Sequence, residues 1–237
     1  RTLLVDLDSQ GAVSRCLGLP YSKATYDLLC RDAGIDAITD SERENLDVVL
    51  GGKPTLRATV ELVNRPLAVL TLDDCLHAVQ EEMAYDHIVL DCGPGMSLLQ
   101  QMALIAAERY LVPVLLHPLS INSVREVLTT VKSMQNRKVE VAEFAGVVPT
   151  MYDRVRVVSR ELLAYISDAF PNGLTWPAIP TDTRAVEAPN YGQTLWEYAP
   201  TCRAIMGIQQ DNGETFGGYA KLVEDLLALA KSEENNG

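Results

Sequence analysis

Short apolar runs rich in β-branched residues alternate with helical patterns along the whole chain of 237 residues. This alternation is typical of βα units, in which helices cover a mostly parallel sheet. The predicted strands are Thr2–Asp6, Leu46–Leu50, His87–Asp91, Tyr110–Leu116, Phe144–Pro149 and Leu174–Ala178. Their nearly continuous apolar content indicates strands that are covered on both faces. The sequence therefore predicts an α/β fold with a mostly parallel sheet and helices on both faces.

The longer helices are predicted at Asp73–Met83, Leu98–Glu108, Ser123–Met134, Val157–Phe170 and Gly217–Lys231. Ser123 and Glu126, three residues apart, have the pattern of a capping box. The last helix has apolar residues at helical spacing, which could pack in a core or lie on a membrane. Its polar face carries Glu224 and Asp225, whereas interfacial helices usually have a basic face, so core packing is favoured.

The chain has no repeat and no low-complexity run, so the simplest prediction is a single domain over residues 1–237. Residues 201–214 contain a run of turn-forming residues at 209–213 and are predicted to be a surface insertion. The sequence begins with Arg1 instead of Met, and a strand pattern follows directly. This beginning leads us to expect that sequence is missing upstream.

The net charge of −12 makes extensive coating of nucleic acid unfavourable. One basic patch on a dimer remains compatible with it, and an acidic surface suits a basic peptide from a partner. The five cysteines are scattered without a C-x-x-C pair, which favours a reducing, cytoplasmic compartment and argues against zinc. No apolar run approaches the ~20 residues of a membrane span, and there is no signal peptide.

The first motif with chemical meaning is VDLDSQG at residues 5–11, where a strand ends in two carboxylates. The carboxyl ends of parallel strands line the ligand crevice of such folds, so Asp6 and Asp8 are expected to face it. Two close carboxylates are costly unless they bind a cation or polarise a water. The alternative is that Asp8 or Ser9 caps the following helix.

Three further segments are candidates. In residues 87–91, a predicted strand of four mostly apolar residues ends in Asp91. This is a Walker B pattern, in which the carboxylate holds Mg²⁺. Loops follow the predicted strands near residues 150–154 and 179–189. A basic cluster is formed by Arg154, Arg156, Arg160 and Arg184. It is a candidate binding surface, and a solvated helix face is an equally valid interpretation.

Together, these segments resemble the ParA-type partition ATPases of the deviant-Walker P-loop class, the ParA, Soj and MinD family. The four blocks are VDLDSQG, DHIVLDCGPG, VVPTMYDR and IPTDTRAVEAPNYGQTLWEYAP. They follow the order and rough spacing of that family over Thr2 to Pro200. The closing GGYAKLVEDLLALAK resembles the family's last helix.

The resemblance implies a role for each matching residue. Asp8 would polarise the attacking water, and Asp6 and Asp91 would lie at the Mg²⁺. The adenine of ATP would be framed by Thr150, Asp153, Pro180, Thr181, Asp182 and Glu187. The cluster of Arg154, Arg156, Arg160 and Arg184 would correspond to the region that such dimers place on DNA.

Some positions depart from the family's pattern. Ser9 and Gly93 stand where prolines are usual, and Ala199 replaces the aspartate of a YDP motif. No G-x-x-x-x-G-K-[ST] phosphate loop occurs in the sequence. We expect that the first strand, the phosphate loop and the first helix, ~30–40 residues, lie upstream of Arg1.

The function implied is an ATP-dependent, dimerising ATPase that positions a plasmid, a chromosome or a large cargo. The implied partners are a second copy, the basic N-terminal peptide of a ParB-like activator or cargo adaptor, and non-specific DNA of the nucleoid. A degenerate scaffold that binds a partner without hydrolysis is the alternative, and the three retained aspartates argue against it. A receiver domain is disfavoured because its acidic residues would lie much closer in sequence. This sequence lacks the basic amphipathic tail that a MinD-like membrane protein would need. It also lacks the cluster cysteines that an iron–sulfur relative would need, since only Cys92 qualifies.

Overall fold

The computed structural model describes residues 1–117, 120–210 and 213–234, with the side chains of 121–123 and 232–234 excepted. The strands are β1 Thr2–Asp6, β2 Thr39–Arg43, β3 Leu46–Val49, β4 His87–Asp91, β5 Arg109–Leu115, β6 Glu143–Thr150, β7 Ile208–Gln209 and β8 Thr215–Phe216. The α-helices are α1 Ala12–Leu17, α2 Ala24–Cys30, α3 Lys53–Leu62, α4 Thr71–Met83, α5 Leu98–Ala106, α6 Ile121–Asn136, α7 Val157–Ala169, α8 Arg184–Glu187, α9 Leu195–Tyr198, α10 Arg203–Met206 and α11 Tyr219–Glu234. Short 3₁₀ helices lie at Gly34–Ala37, Ala68–Leu70 and Ala188–Tyr191.

The largest sheet has the strand order β2-β3-β1-β4. β1 is parallel to both β3 and β4, and β2 is antiparallel to β3. In this register Asp6, the last residue of β1, lies beside Asp91, the last residue of β4. The parallel strands therefore bring two predicted site residues to one edge of the sheet.

Helices cover both faces of this sheet, as the alternation of side chains requires. On one face Leu3, Val5 and Val49 belong to a large core that also includes residues of α2, α4 and α5. On the other face Val48 packs with α1 in a smaller core, and Leu4 packs against that core. The predicted α/β fold with a mostly parallel sheet is confirmed.

Strand β2 was not predicted, because its sequence Thr-Asp-Ser-Glu-Arg is almost entirely polar. It is the edge partner of β3, and the turn between them has Asn45 in a left-handed conformation with φ of 60°. Polar residues are tolerated there because an edge strand is covered on fewer sides.

In the described residues β4 is less covered than the neighbouring β1 and β3, which differs from the expectation of strands covered on both faces. His87, Val89 and Asp91 are exposed, and the Val89 side chain is 50% exposed. β4 is the last strand in the order of its sheet, so among the described residues it pairs with β1 alone.

A strand at Leu174–Ala178 was predicted, and this prediction is wrong. The segment runs beside β6, where Val147 donates to the Leu174 carbonyl oxygen and Trp176 donates to the Val147 carbonyl oxygen. The ladder is interrupted because Pro149 of β6 and Pro177 have no backbone N–H. Only an isolated parallel bridge, Val147 with Thr175, forms in this stretch.

The predicted helices form with small shifts at their ends, as is usual for helix boundaries. α6 begins at Ile121, two residues before the predicted start, and the side chain of the predicted cap, Ser123, lies outside the described residues. In α11, Leu222 is buried and Tyr219 and Leu226 pack against the same core, which is the predicted core packing. Among the described residues, no helix combines the length and apolar character that crossing a bilayer requires.

The chain divides into two compact units. The first contains Arg1–Tyr110 and Glu126–Glu143, and the second contains Leu111–Arg125 and Phe144–Gly237. Two such units can belong to one domain, so the single domain over 1–237 stays a prediction.

Residues 201–214 were predicted as a surface insertion, which also stays a prediction. Within them Cys202, Ala204 and Ile205 are buried. Strand β7, also within them, pairs with β8, which follows directly after residue 214. Part of the predicted turn, Asp211 and Asn212, lies outside the described residues.

Candidate functional site

Asp6 is the most enclosed of the predicted site residues. It ends β1, its side chain is fully buried, and its main-chain carbonyl accepts a 2.7 Å hydrogen bond from the Thr25 hydroxyl. Gly51, just after β3, packs directly against it. A Cβ at Gly51 would lie 2.4 Å from the Asp6 carbonyl oxygen and 2.8 Å from its Oδ1. Only glycine fits at that position.

The Asp6 carboxylate has one satisfied oxygen and one orphaned oxygen. Oδ1 accepts the backbone N–H of Asp8 at 2.9 Å, whereas the buried Oδ2 has no hydrogen-bond partner. Burial raises the pKa of Asp6 to about 6, and the charge of Asp91 contributes in the same direction. A buried oxygen without a donor is costly, so this site suits a bound cation or proton.

Asp8 lies in the loop that follows β1, and its side chain is more accessible than that of Asp6. Its Oδ1 accepts the backbone N–H of Gln10 at 3.0 Å, which fixes the carboxylate. Of the alternative, in which Asp8 or Ser9 caps the following turn, the structure shows the Asp8 contact with that turn, whereas α1 itself is capped by Gly11 without a side-chain hydrogen bond.

Gly93 lies against the Asp8 carboxylate. A Cβ at this position would approach Asp8 Oδ1 to 2.8 Å. The departure from the family pattern at Gly93, noted in the sequence, therefore makes room for this carboxylate.

Asp91 is exposed at the end of β4, and its carbonyl oxygen accepts the Leu7 N–H at 2.8 Å. Desolvation and the charge of Asp8 raise the pKa of Asp91. The neighbouring Cys92 thiol has its pKa raised to about 11 by desolvation and by the charges of Asp91 and Asp8. Desolvation is thus the main cause of both shifts, and the nearby negative charges at this sheet edge add to it.

The carboxylates at this sheet edge are oxygen donors of the kind that bind divalent cations. Carboxylates and water are ligands that Mg²⁺ prefers, and Mg²⁺ in nucleotide enzymes takes only one or two carboxylates besides phosphate oxygens. Asp6, with its orphaned Oδ2, and Asp91 fit this pattern. Across the described part of the chain, no three His, Cys, Asp or Glu side chains could hold a metal ion by themselves.

Sequence reasoning missed two contributors to this edge, Thr25 and Gly51. Thr25 is fully buried at the start of α2, where its hydroxyl bonds to Asp6 and its N–H bonds to the Leu50 carbonyl. The glycine pair at 51–52, which follows the predicted strand Leu46–Leu50, is a signal that could have identified Gly51. Nothing in the local sequence identifies Thr25, because its contact is made over nineteen residues.

The residues predicted to frame adenine belong to the second compact unit, whereas the three aspartates belong to the first. Tyr152 bridges to Pro180 in parallel fashion, and the Thr181 N–H bonds to the Tyr152 carbonyl at 2.9 Å. Asp153 Oδ1 accepts the Val155 N–H at 2.9 Å. A cavity of about 350 Å³ is lined by Asp153, Pro180 and Thr181 among others. Thr150 ends β6, and its carbonyl accepts the Leu116 N–H.

Asp182 and Glu187, from the same predicted set, have local partners. The Asp182 side chain is buried, accepts the backbone N–H groups of Arg184 and Arg203 at 3.1 Å each, and lies 3.3 Å from the Arg184 guanidinium. Glu187 accepts a 3.1 Å hydrogen bond from the Tyr198 hydroxyl. These contacts join the segment at 182–187, which includes α8, to α9 and α10.

The predicted basic cluster is partly neutralised. Arg156 forms a 3.2 Å ion pair with Asp153, and Arg184 is paired with Asp182. Arg154 and Arg160 are exposed, and Arg160 donates to the Arg154 carbonyl at 2.8 Å. Arg154 and Arg160 are therefore the cluster members whose charge is not offset by these two aspartates.

Comparisons with known proteins give the family. A profile of the family described as an AAA domain matches residues 1–143. The chain is 31% identical over 207 residues to the sporulation initiation inhibitor protein Soj of Bacillus subtilis, which covers 86% of this chain and 81% of that protein. It is 30% identical over 229 residues to the chromosome-partitioning ATPase Soj of Treponema pallidum, which covers 96% of this chain and 85% of that protein.

Solved structures show the same fold. McdA from Cyanothece in complex with ATP has a TM-score of 0.74 at 19% identity, covering 84% of this chain and 78% of that chain. Cobyrinic acid a,c-diamide synthase from Mycobacterium smegmatis with bound ADP and magnesium has a TM-score of 0.68 at 23% identity. That comparison covers 92% of this chain and 86% of the synthase.

The chain therefore has the α/β fold of these solved structures. The chain belongs to the AAA-domain family, and within it to the ParA-type partition ATPases that include Soj. The family resemblance stated from the sequence is confirmed.

Proposed function

We propose that this protein is an ATPase that hydrolyses ATP in order to position a cellular cargo, with Asp8 as the residue that polarises the attacking water. The observation that carries this proposal is the fixed carboxylate of Asp8. It is more accessible than Asp6, is oriented by the Gln10 N–H, and has room beside Gly93. A general base must be held in place and remain accessible to water, and the contacts of Asp8 support this role.

Asp6 and Asp91 would hold Mg²⁺, which when bound would neutralise charge on the phosphates of ATP. Asp6 offers its orphaned Oδ2, and its raised pKa reflects the cost of an uncompensated buried charge. A cation would remove that cost, and Asp91 would supply a second oxygen from the adjacent strand. The relatives named as ATPases, and the solved relatives with ATP or with ADP and magnesium, support both cofactors.

The second unit would contribute adenine contacts. Thr150, Asp153, Pro180 and Thr181 lie on or next to β6 and its neighbouring segment. We assign Asp182 and Glu187 a structural role in holding the segment at 182–187. Their carboxylates already bind Arg184, Arg203 and Tyr198. The adenine would meet backbone groups rather than these two carboxylates.

The cycle would need a second copy, a DNA matrix and an activator. ATP would hold two copies together, and Arg154 and Arg160 would contact DNA phosphates, with smaller contributions from the paired Arg156 and Arg184. A basic N-terminal peptide from a ParB-like partner would stimulate hydrolysis, which the net charge of −12 favours electrostatically. The cargo would be a plasmid, a chromosome or a large assembly, in the cytoplasm and at the nucleoid.

The test is light scattering on the full natural protein, with and without Mg²⁺ and ATP. We expect the wild type to be monomeric without nucleotide, and Asp8→Ala to form a persistent dimer with ATP because hydrolysis no longer releases it. A monomer under all conditions would contradict the proposal and leave the scaffold as the remaining function. As a control, Asp8→Ala without nucleotide should match the wild type.

A further inference from the structure

A row of exposed apolar side chains lies along the outer face of α3 and the turn after it. We define the α3 stripe as Leu56, Val60, Val63 and Leu67. These side chains are 58%, 73%, 62% and 74% exposed. The spacing i, i+4 and i+7 places Leu56, Val60 and Val63 on one face of α3 and its C-terminal cap, and Leu67 follows in the turn.

The packing of the described residues does not cover this stripe. The opposite face of α3, with Thr55, Ala58 and Leu62, is the face that packs in the core. A helix that packs on one side only is expected to be polar on the other side. A contiguous exposed apolar patch with charged residues beside it marks a surface that binds another molecule.

The end of the stripe is held in a defined shape. Arg65 donates its N–H to the Leu62 carbonyl at 2.8 Å, and Leu70 donates to the Leu67 carbonyl at 2.9 Å. Leu67 itself has a φ of 56°, a left-handed conformation that side chains with a Cβ rarely adopt. The stripe is therefore presented as a preformed surface, which lowers the entropic cost of binding.

Charges beside the stripe indicate the chemistry of its partner. Residues 53–67 contain the bases Lys53, Arg57 and Arg65, all exposed, and the single acid Glu61. Glu61 is already bound by Arg31 at 2.7 Å and by Arg65 at 3.1 Å. The surface is thus basic around an apolar centre, in a chain whose net charge is −12.

We propose that the α3 stripe binds an acidic amphipathic helix of a partner protein. The apolar face of that helix would cover Leu56, Val60, Val63 and Leu67, and its acidic residues would face Lys53 and Arg57. Helix-against-helix recognition uses apolar anchors at this spacing, and complementary charge orients the pair. None of the four stripe side chains belongs to the aspartate site described above.

Two other occupants fit less well. A second copy that presents the same stripe around a two-fold axis would bring Lys53, Arg57 and Arg65 of both copies together, which is unfavourable. An anionic membrane would meet no Trp or Phe and only two leucines, Leu56 and Leu67, among the side chains that interfacial helices usually insert.

The test uses a labelled synthetic helix of about 16 residues, long enough to span the stripe at about 1.5 Å per residue. It carries Leu at i, i+4, i+7 and i+11 with Glu at the flanking positions, and its counterpart carries Lys in place of Glu. Fluorescence anisotropy with the full natural protein should show saturable binding of the Glu helix that weakens with salt. Val60→Asp and Arg57→Glu should each weaken it by roughly tenfold or more. Val223→Asp, an exposed valine on α11, should leave it unchanged.

Equal binding of the Lys helix, no saturable binding, or no effect of Val60→Asp would overturn the proposal. Light scattering and flotation with vesicles of phosphatidylglycerol and phosphatidylcholine examine the other occupants. Self-association that Val60→Asp abolishes would assign the stripe to a second copy. Flotation that Val60→Asp abolishes would assign it to a membrane, and either result would overturn the partner helix.

Discussion

Asp6 and Asp91 are the last residues of two adjacent parallel strands, and the strand register places them side by side. Asp6 is buried with one oxygen unsatisfied, whereas Asp91 is exposed. Desolvation raises the pKa of both carboxyls, and the charge of Asp91 adds to the shift of Asp6, as the charge of Asp8 does to that of Asp91. The carboxylates at this edge therefore destabilise the fold when they are charged. A bound cation would offset that electrostatic cost.

The first prediction concerns the pH dependence of stability. The pKa of Asp6 is raised from 3.8 to about 6, so the folded state holds this proton more tightly than the unfolded state. Stability should fall as the pH rises from about 4 to about 6, by up to about 3 kcal/mol from this group. In Asp6→Asn this part of the pH dependence should disappear. The measurement is urea unfolding of both proteins between pH 4 and pH 8, in EDTA.

The same experiment has an internal control. The pKa of Glu61 is lowered chiefly by its hydrogen bond from Arg31, so Glu61→Gln should not flatten the profile in this direction. Parallel profiles for the wild type and Asp6→Asn would show that Asp6 does not carry the predicted shift.

The second prediction concerns Gly93, whose absent side chain leaves room for Asp8. In Gly93→Ala, the new Cβ would lie 2.8 Å from Asp8 Oδ1, and the carboxylate would have to move. We expect the rate of ATP hydrolysis to fall by roughly tenfold or more, because a displaced base loses its alignment. The affinity for ATP, measured by equilibrium titration, should stay near that of the wild type. An unchanged rate would show that the position of Asp8 is not what limits hydrolysis.

Much of the first unit could be predicted from sequence, because its strands are short apolar runs that end in recognisable motifs. β1 and β4 have the predicted bounds, and Asp6 and Asp91 meet as expected. β2 could not be predicted, since its polar residues form a strand only because β3 offers an edge. The buried Asp6 oxygen and its contact with Gly51 also depend on tertiary packing that no local pattern shows.

The second unit was harder to predict for a different reason. The segment at 174–178 has strand-like composition, yet Pro149 and Pro177 interrupt its pairing. Asp182 matched a family block, whereas its buried contacts with Arg184 and Arg203 come from segments up to twenty-one residues apart.

The third prediction tests the structural role of Asp182. Asp182→Ala should lower the free energy of unfolding by about 2–4 kcal/mol, because two backbone N–H groups and two guanidinium groups lose their acceptor. Glu187→Ala, which removes an exposed acceptor for the Tyr198 hydroxyl, should cost about 0.5 kcal/mol or less. Chemical unfolding measures both. Similar values for the two variants would contradict the support role of Asp182.

The fourth prediction concerns DNA contact. Arg154→Ala should weaken non-specific binding to duplex DNA and reduce the salt dependence by about one released counterion. Arg137→Ala, an exposed arginine on the first unit, should leave both quantities unchanged. Binding is measured by anisotropy at several salt concentrations with ATP present. An identical salt slope in the wild type and Arg154→Ala would remove this arginine from the interface.

The central claim is that Asp8 acts in hydrolysis, and steady-state release of phosphate from ATP by the full natural protein tests it most directly. The wild type should hydrolyse ATP only with Mg²⁺, and Asp8→Ala should be slower by roughly a hundredfold while still binding ATP, since a general base contributes about that much. Equal rates for the wild type and Asp8→Ala, with ATP bound by both, would contradict the assignment of Asp8 and the mechanism built on it.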